Sequence, residues 1–435
     1  MVRRTSQIFS PWVIQDIHAK SDLGRYRIRG FSSFQDVTHF DDLTFLSTGL
    51  TRFPLEGYKE QCNTQTVIGS LNAKNPLILD TPIYITGMSY GALSVNAKTA
   101  LGKAASLVGT ASCTGDGGML PSERKASNKL IYQVLPSRYG FNPHHLKKAQ
   151  AIEIVVGQGA KPGTGGMLMG IKVLDNISEM RDLPKGIEQR SPARHPDWLG
   201  PDDLAMKIEQ LREATNWTVP IHVKLGACRV SDDVKLAAKA GADAVVVDSM
   251  LAGTGASSEI LLDHSGIPTV PAIVLAREAL REIGLNGKVD LIASGGIRSG
   301  ADVAKALALG ADAVAIGLSA LIALNCNREI PGSNFMEEIG VPAGECSHCH
   351  TGKCPVGIAT QDKKLTKRLD PDEGAERVAN FLNAMTMEMS LLTRSLGKGD
   401  VHSLEPEDLA ALTIEASAMA QVPLVGTNTI FGQIS

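Results

Sequence analysis

Three cysteines fall within nine residues in the run ECSHCHTGKCPVG, spaced Cys346-x₂-Cys349-x₄-Cys354-Pro, and Cys326 lies twenty residues upstream. Thiolates at such spacing hold zinc or an iron–sulfur cluster. The Cys-Pro ending and the absence of a second paired Cys-x₂-Cys favour a cluster over a zinc ribbon. His348 and His350 share this short polar loop, where histidines more often face outward than bind metal. Cys62, Cys113 and Cys228 are scattered and read as small buried residues rather than ligands.

Glycine-rich runs point to a second kind of chemistry. In SGGIRSGADV, Gly295 and Gly296 let the backbone approach an anion, Arg298 supplies charge, and the following helix opens with free N–H groups. Paired with IGLS and its Gly317, this predicts a phosphate site. Tight turns alone are the plainer reading of the same glycines. Lys224, in IHVKLGA, ends an apolar run. Beside a phosphate site it can place positive charge near the N1–C2 carbonyl region of a flavin and stabilise the reduced anion. Gln158 and Lys161 lie in GQGAKPGTGG, and Arg181 follows twenty positions after Lys161. Cationic and amide groups gathered over a flavin suit a dicarboxylate, which arginine grips with two hydrogen bonds. A surface salt bridge is the plainer reading of Arg181. Asp116, in TGDGG, is either a turn residue or a carboxylate near the active site.

Something must bring these runs together. Short apolar segments alternate with amphipathic ones: strands are expected at Ile83–Gly87, Thr110–Cys113, Leu130–Leu135, Ile152–Val156, Ile221–Lys224, Ala244–Asp248, Val289–Ala293 and Ala313–Gly317. Strand–helix repeats imply parallel strands with right-handed crossovers, and eight is the number that closes a barrel. An open doubly wound sheet would usually carry a dinucleotide fingerprint after its first strand, and none is there. The expected fold is therefore α/β, a (β/α)₈ TIM barrel over residues 81–325. An irregular extension precedes it at 1–80. A cysteine loop and helices, notably Gly374–Leu396 and Pro406–Met419, follow at 326–435. In such barrels the active site lies at the C-terminal strand ends. The runs GMSYGALS, CTGDGG, GQGAKPGTGG, DSMLAGTGAS and SGGIRSGADV each follow an apolar strand.

A formal net charge of −3 gives no basic footprint for nucleic acid and no polybasic membrane patch. The N-terminus has no apolar run long enough for a signal peptide, and no transmembrane stretch occurs elsewhere. A cytoplasmic location is expected, with the seven cysteines as thiols or ligands rather than disulfides.

Taken in order, GMSYGALS, TGDGG, GQGAKPGTGG followed by Lys172–Val173, VKL, GTGAS, SGGIRSGADV and CHTGKCPVGIATQD resemble the FMN-binding synthase domain of the glutamate synthase family over residues 75–395. The resemblance implies FMN in the barrel, a [3Fe-4S] cluster beside it and a 2-oxoglutarate or 2-iminoglutarate site over the flavin. Carried over, Gly87, Met88, Ser89 and Gly91 contact the flavin with Gln158, Gly253, Thr254 and Gly255, and Lys224 lies at its pyrimidine side. Gly295, Gly296, Arg298 and Gly317 hold its phosphate, while Gln158, Lys161 and Arg181 bind the keto or imino acid, with Asp116 nearby.

The chain departs from the pattern in places. Thr164 stands where the family has an acidic residue, Asp116 replaces a Glu, and either Cys326 or Cys346 is the first cluster ligand. Four ligands would make a [4Fe-4S] cluster. No amidotransferase segment, β-helix domain or nicotinamide-binding motif accompanies the barrel. This implies one subunit of a split enzyme, with separate amidotransferase-like and β-helix-like partners. Within the family, the large subunit of N-methylglutamate synthase is the nearest resemblance, implying conversion of glutamate and methylamine to N-methylglutamate and ammonia. Glutamate formation from 2-oxoglutarate and ammonia is the alternative. A flavin barrel that has lost turnover is the non-enzymatic one, opposed by the intact Gln158, Lys161, Lys224 and Arg298 set.

Overall fold

The computed structural model describes residues 8–432. The first seven residues of the N-terminal extension and the last three of the chain lie outside that range. Eight parallel strands form one sheet: β1 (Ile83–Ile85), β2 (Ser112–Cys113), β3 (Leu130–Val134), β4 (Ala151–Val155), β5 (Ile221–Gly226), β6 (Ala244–Asp248), β7 (Asp290–Ser294) and β8 (Ala313–Ile316). Their spatial order is the order of the chain, with β8 paired back onto β1. The Ile85 N–H donates to Ala111 O at 3.0 Å across the seam between β1 and β2. The sheet is thus a nearly closed TIM barrel.

Eight helices surround it: α1 (Val95–Val108), α2 (Pro121–Ala126), α3 (Pro143–Leu146), α4 (Pro201–Ala214), α5 (Val230–Lys239), α6 (Thr269–Glu282), α7 (Gly300–Ala308) and α8 (Pro371–Ser395). Local sequence sets their ends. Ser94 caps α1 by accepting from the Ala97 N–H, and Gly109 ends the helix at φ 73. Ser299 caps α7 through the Asp302 N–H in the same way. The eighth helix arrives late. After β8 the chain makes an excursion over the barrel mouth that carries every cysteine of the cluster run, and only then enters α8. α8 packs between α7 and α1, so the barrel takes its last helix from beyond residue 325. Contact with α7 is close: a Cβ at Gly300 would stand 2.1 Å from Met385 O on α8. The cysteine run is therefore the eighth βα loop, on the face where such barrels do chemistry.

The N-terminal extension is more regular than its composition suggests. It holds a helix at Pro11–Leu23, a strand at Ile28–Phe31 that pairs with Thr254–Ser258, and a hairpin, Thr66–Ile68 with Leu77–Leu79. The hairpin plugs the bottom of the barrel. Ile68, Leu77 and Leu79 form one buried cluster with Tyr84, Ile131, Val246 and Ile292 from the interior. The Gly69 N–H donates to Asp290 Oδ2 at 2.6 Å, at the start of β7. The helix expected at Pro406–Met419 is a correction. Leu409–Ala411 is a strand paired with Leu43–Phe45, and the helix starts only at Ile414.

Candidate functional site

A cavity of about 670 Å³ opens at the C-terminal ends of the strands and runs without a break to the cysteine loop. That size is ordinary for a cofactor or substrate site. Gly87, Met88, Ser89, Asp116, Gln158, Lys161, Arg181, Lys224, Gly253, Thr254, Gly255, Gly295, Gly296, Arg298 and Gly317 all line it, as do Cys326, Cys346, Cys349 and Cys354. Gly91 does not. At φ 111 it makes the turn behind the wall, and its carbonyl accepts from Gln361 Nε2 at 3.1 Å.

The floor is a polar layer on neighbouring strands. Lys224 Nζ donates to Thr86 Oγ1 at 3.2 Å and stands 3.5 Å from Asp248 Oδ2. Burial pulls the lysine's pKa down, but Asp248, Glu153 and Cys113 outweigh it and hold the ammonium above its ordinary value. Gln133 Nε2 donates to Glu153 Oε1 at 2.6 Å, and burial pushes the Glu153 carboxyl up. His222, fully buried beneath them, is pushed down to about 4 by burial and is neutral.

The ends of β7 and β8 form one wall. Gly295 has φ 104, and a Cβ there would meet Ser249 Oγ at 2.4 Å, so only glycine fits. Arg298 is half-exposed and already engaged: its guanidinium donates to Asp41 Oδ1 at 2.7 Å and to Asp302 Oδ2 at 3.1 Å. The Asp41 hydrogen bond leads the effects that hold the guanidinium above its ordinary pKa. Ser319 Oγ, just past Gly317, is buried in the same wall with no hydrogen-bond partner.

The long loop after β4 forms the opposite wall. Lys161 Nζ donates to Thr254 Oγ1 at 2.9 Å and to Ala256 O at 2.7 Å, which uses two of its three N–H groups. Burial pulls its pKa down to about 8, against the opposing pull of Asp116. Arg181 is not a surface residue. It is 3% exposed, and its fork holds Tyr90 O at 2.7 Å, Asp116 O at 3.2 Å and Gln189 Oε1 at 3.0 Å. Its Nε is buried without a partner. Asp116 is fixed by two hydroxyls, Ser137 at 3.0 Å and Ser191 at 3.1 Å.

The cysteine loop is braced within itself once and tied to the rest at two places. Asn327 and Cys346 bond reciprocally, backbone N–H to Oδ1 at 2.7 Å and Nδ2 to carbonyl at 3.0 Å, which brings Cys326 alongside Cys346. The Gly30 N–H donates to Ser347 O at 2.8 Å, and a Cβ at Gly30 would stand 2.7 Å from Cys349 Cβ. Lys172 Nζ donates to Cys349 O at 3.1 Å. Burial raises the Cys326 thiol well above its ordinary value, and the three other cysteines of the run raise it further. Cys349 is pushed up to about 12 by burial and by Cys354. Two expectations need correcting. His348 lines the cavity instead of facing outward, and both His348 and His350 bury an unpartnered Nδ1. Cys228 is exposed rather than buried.

Sequence reading passed over Gln133, Glu153, Asp248 and Lys172. The first two carried a signal: each is a lone polar residue at an inward position of an otherwise apolar strand. A polar group buried there needs a partner, and each found the other.

Comparison with known proteins bears on the family and the fold. Residues 39–399 match the family model described as the conserved region in glutamate synthase. A glutamate synthase large subunit-like protein of Rhizobium meliloti is 53% identical over 98% of this chain and 96% of its own length. An archaeal glutamate synthase [NADPH] of Methanocaldococcus jannaschii is 45% identical over 75% of this chain, which spans only 61% of that longer protein. Among solved structures, the flavin-binding domain of baker's yeast flavocytochrome b2 superposes with a TM-score of 0.53 at 17% identity, over 93% of this chain and 86% of that one. The barrel architecture is thus shared far beyond recognisable sequence similarity. The chain belongs to the glutamate synthase family.

Proposed function

We propose that the chain is the FMN- and iron–sulfur-binding subunit of a cytoplasmic enzyme that converts glutamate and methylamine to N-methylglutamate and ammonia through 2-iminoglutarate. The observation that carries this reading is the single cavity. It joins a glycine-lined wall, four cysteines and two buried cations, Lys161 and Arg181, that make no ion pair among the described residues.

The residues fit the flavin. The unpartnered Ser319 hydroxyl beside Gly317, with the close backbone approach at Gly295 and Gly296, suits a phosphate. Arg298 would reach it only by sharing a guanidinium now held by Asp41 and Asp302. Gly87, Met88 and Ser89, together with Gly253, Thr254 and Gly255, would flank the ring system, and Lys224 would hold positive charge at its pyrimidine edge. When bound, FMN supplies a reversible acceptor for the hydride of the substrate Cα. Arg181 and Lys161 would bind the two carboxylates, Gln158 would orient the imine, and Asp116 would keep the Ser191 wall in place.

The cysteines fit a cluster better than zinc. Tetrahedral zinc needs sulfurs about 3.8 Å apart, from Zn–S bonds of about 2.3 Å. Among the described residues no three cysteine sulfurs lie within 4.8 Å of one another. Cys349 and Cys354 with Cys326 or Cys346 would hold [3Fe-4S], and all four [4Fe-4S].

A small recess of about 100 Å³ backs onto the cavity and shares Lys161, Gly166, Met167 and Ser191 with it. Thr164 lies in its wall, and its hydroxyl turns back onto Lys161 O at 3.1 Å. A wall that carries Met167, Leu261 and a threonine in place of a carboxylate suits an N-methyl group. Separate amidotransferase-like and β-helix-like subunits complete the proposed assembly. A second reading, glutamate formation from 2-oxoglutarate and ammonia, is favoured by the 45% identity to an archaeal glutamate synthase. Anaerobic addition of glutamate to the FMN-loaded protein tests the first: glutamate should bleach the flavin, and an unchanged spectrum counts against it.

A further inference from the structure

Five lysines are buried in the described structure: Lys98, Lys161, Lys172, Lys224 and Lys398. Three have a carboxylate: Glu123 at 2.6 Å from Lys98, Asp248 at 3.5 Å from Lys224 and Asp408 at 2.5 Å from Lys398. Burying an ammonium without an anion is costly, and chains avoid it unless the site supplies one. Lys161 and Lys172 are the two that make no ion pair among the described residues. Lys161 lines the cavity, where a substrate carboxylate is proposed to meet it. Lys172 is not in that wall, so its anion must lie elsewhere.

Lys172 closes a short turn, Gly170–Lys172, on the loop after β4, and is 2% exposed. Its Nζ donates to Ala92 O at 2.6 Å and to Cys349 O at 3.1 Å, leaving one N–H for another acceptor. Its stem lies against the cysteine turn, where a Cβ on Gly352 would stand 3.4 Å from Lys172 Cγ. Two carbonyl dipoles solvate an ammonium but do not neutralise it. The one lysine without a carboxylate outside the substrate wall is thus clasped by the loop of thiols. It also ties that loop to the segment after β1, because Ala92 lines the cavity.

We propose that Lys172 is a positioning residue that balances the negative charge of a metal–sulfur group on Cys349 and Cys354, and that it raises that group's reduction potential. The proposal rests on the cluster reading above. Reduction adds one electron to the group, and a fixed positive charge beside it favours the reduced form.

The test uses the full chain reconstituted with iron and sulfide, titrated with dithionite and redox mediators and followed by electron paramagnetic resonance. At the potential that half-reduces the wild type, Lys172→Met should raise the oxidised-to-reduced ratio at least tenfold, equal to about 59 mV downward for one electron. Lys172→Arg should return the ratio to within threefold of wild type. An unchanged ratio in a cluster-bearing Lys172→Met variant overturns the proposal, as does Lys172→Arg shifting as far as Lys172→Met. Should Lys172→Met lose the cluster while keeping its fold and flavin, retention in Lys172→Arg supports the charge role, and loss in both overturns it. A wild-type chain that takes up no iron or sulfide instead fails the cluster reading, and this inference with it.

Discussion

Lys224 Nζ stands 3.5 Å from Asp248 Oδ2 across the adjacent strands β5 and β6, and both side chains are only 6% exposed. Asp248 also accepts the Gly159 N–H at 2.9 Å, so one carboxylate anchors both the floor of the cavity and the loop after β4. Removing one partner of a buried pair leaves an uncompensated charge, which costs about 3–5 kcal/mol. Lys224→Met should therefore lower the unfolding free energy by about 3 kcal/mol, because the Gly159 bond remains. Combining it with Asp248→Asn should recover most of that stability in urea denaturation. Neither variant should recover turnover, expected to fall about 100-fold with the lost charge on the reduced flavin. Recovery of both together would mean that the lysine serves only the fold.

The bottom of the barrel makes a pH prediction. Burial pushes the Asp290 carboxyl up to about 7, and the Gly69 N–H that donates to it opposes the shift only in part. The folded state then keeps a proton that the unfolded chain releases near pH 4. The stability this group contributes is full below about pH 4, falls as pH rises to about 7, and is flat above. Asn can accept the same Gly69 N–H without titrating. Asp290→Asn should match wild type near pH 4 and exceed it by on the order of 3 kcal/mol above pH 7. Parallel stability curves for the two proteins between pH 4 and 8 would contradict this.

Arg181 presents five N–H donors in a rigid planar fork, which the three rotatable donors of Lys cannot reproduce. Because Tyr90 O and Asp116 O already engage the fork, Arg181→Lys should loosen both loops at the cavity wall. We expect KM for glutamate to rise about tenfold or more, with a smaller change in kcat, as for a group that binds ground and transition states alike. A variant with unchanged KM would remove Arg181 from the substrate site.

The Gly30–Cys349 contact gives a sharper test of the cysteine loop. A Cβ at Gly30 would come within 2.7 Å of Cys349 Cβ and within 3.2 Å of Gly255 O. Gly30→Ala must push Cys349 aside. Iron and sulfide content after reconstitution should drop by half or more while circular dichroism stays that of wild type. Full iron content would place Cys349 outside the ligand set.

The eight strands were legible because each is an apolar run in a regular alternation, and their ends could be read because glycine and charge gather there. The late eighth helix was legible as a helix, expected at Gly374–Leu396 and found at Pro371–Ser395, but its place in the barrel was not. The excursion after β8 separates α8 from the strand it completes, and nothing local marks the pairing of the long helix with α1. Leu409–Ala411 was misread for a related reason: its strand state depends on Leu43–Phe45, at the far end of the sequence, which local periodicity cannot reveal. At the site, motif residues were found, but their supports were not. From its own neighbours in sequence Arg181 could equally be a surface arginine, and only the fold shows Tyr90, Asp116 and Gln189 wrapped around it. Lys172 stood in plain view beside Val173, and only the three-dimensional contact with Cys349 gives it a role.

In the proposed function, glutamate and methylamine react by exchange of the amine, without net oxidation. The decisive measurement loads the chain with FMN, iron and sulfide, adds its partner subunits, and supplies glutamate with ¹³C-methylamine in the absence of any reductant. The expected products are ¹³C-labelled N-methylglutamate and an equal amount of ammonia. No labelled product, together with glutamate formed from 2-oxoglutarate and ammonia once a reductant is supplied, would contradict the proposed exchange.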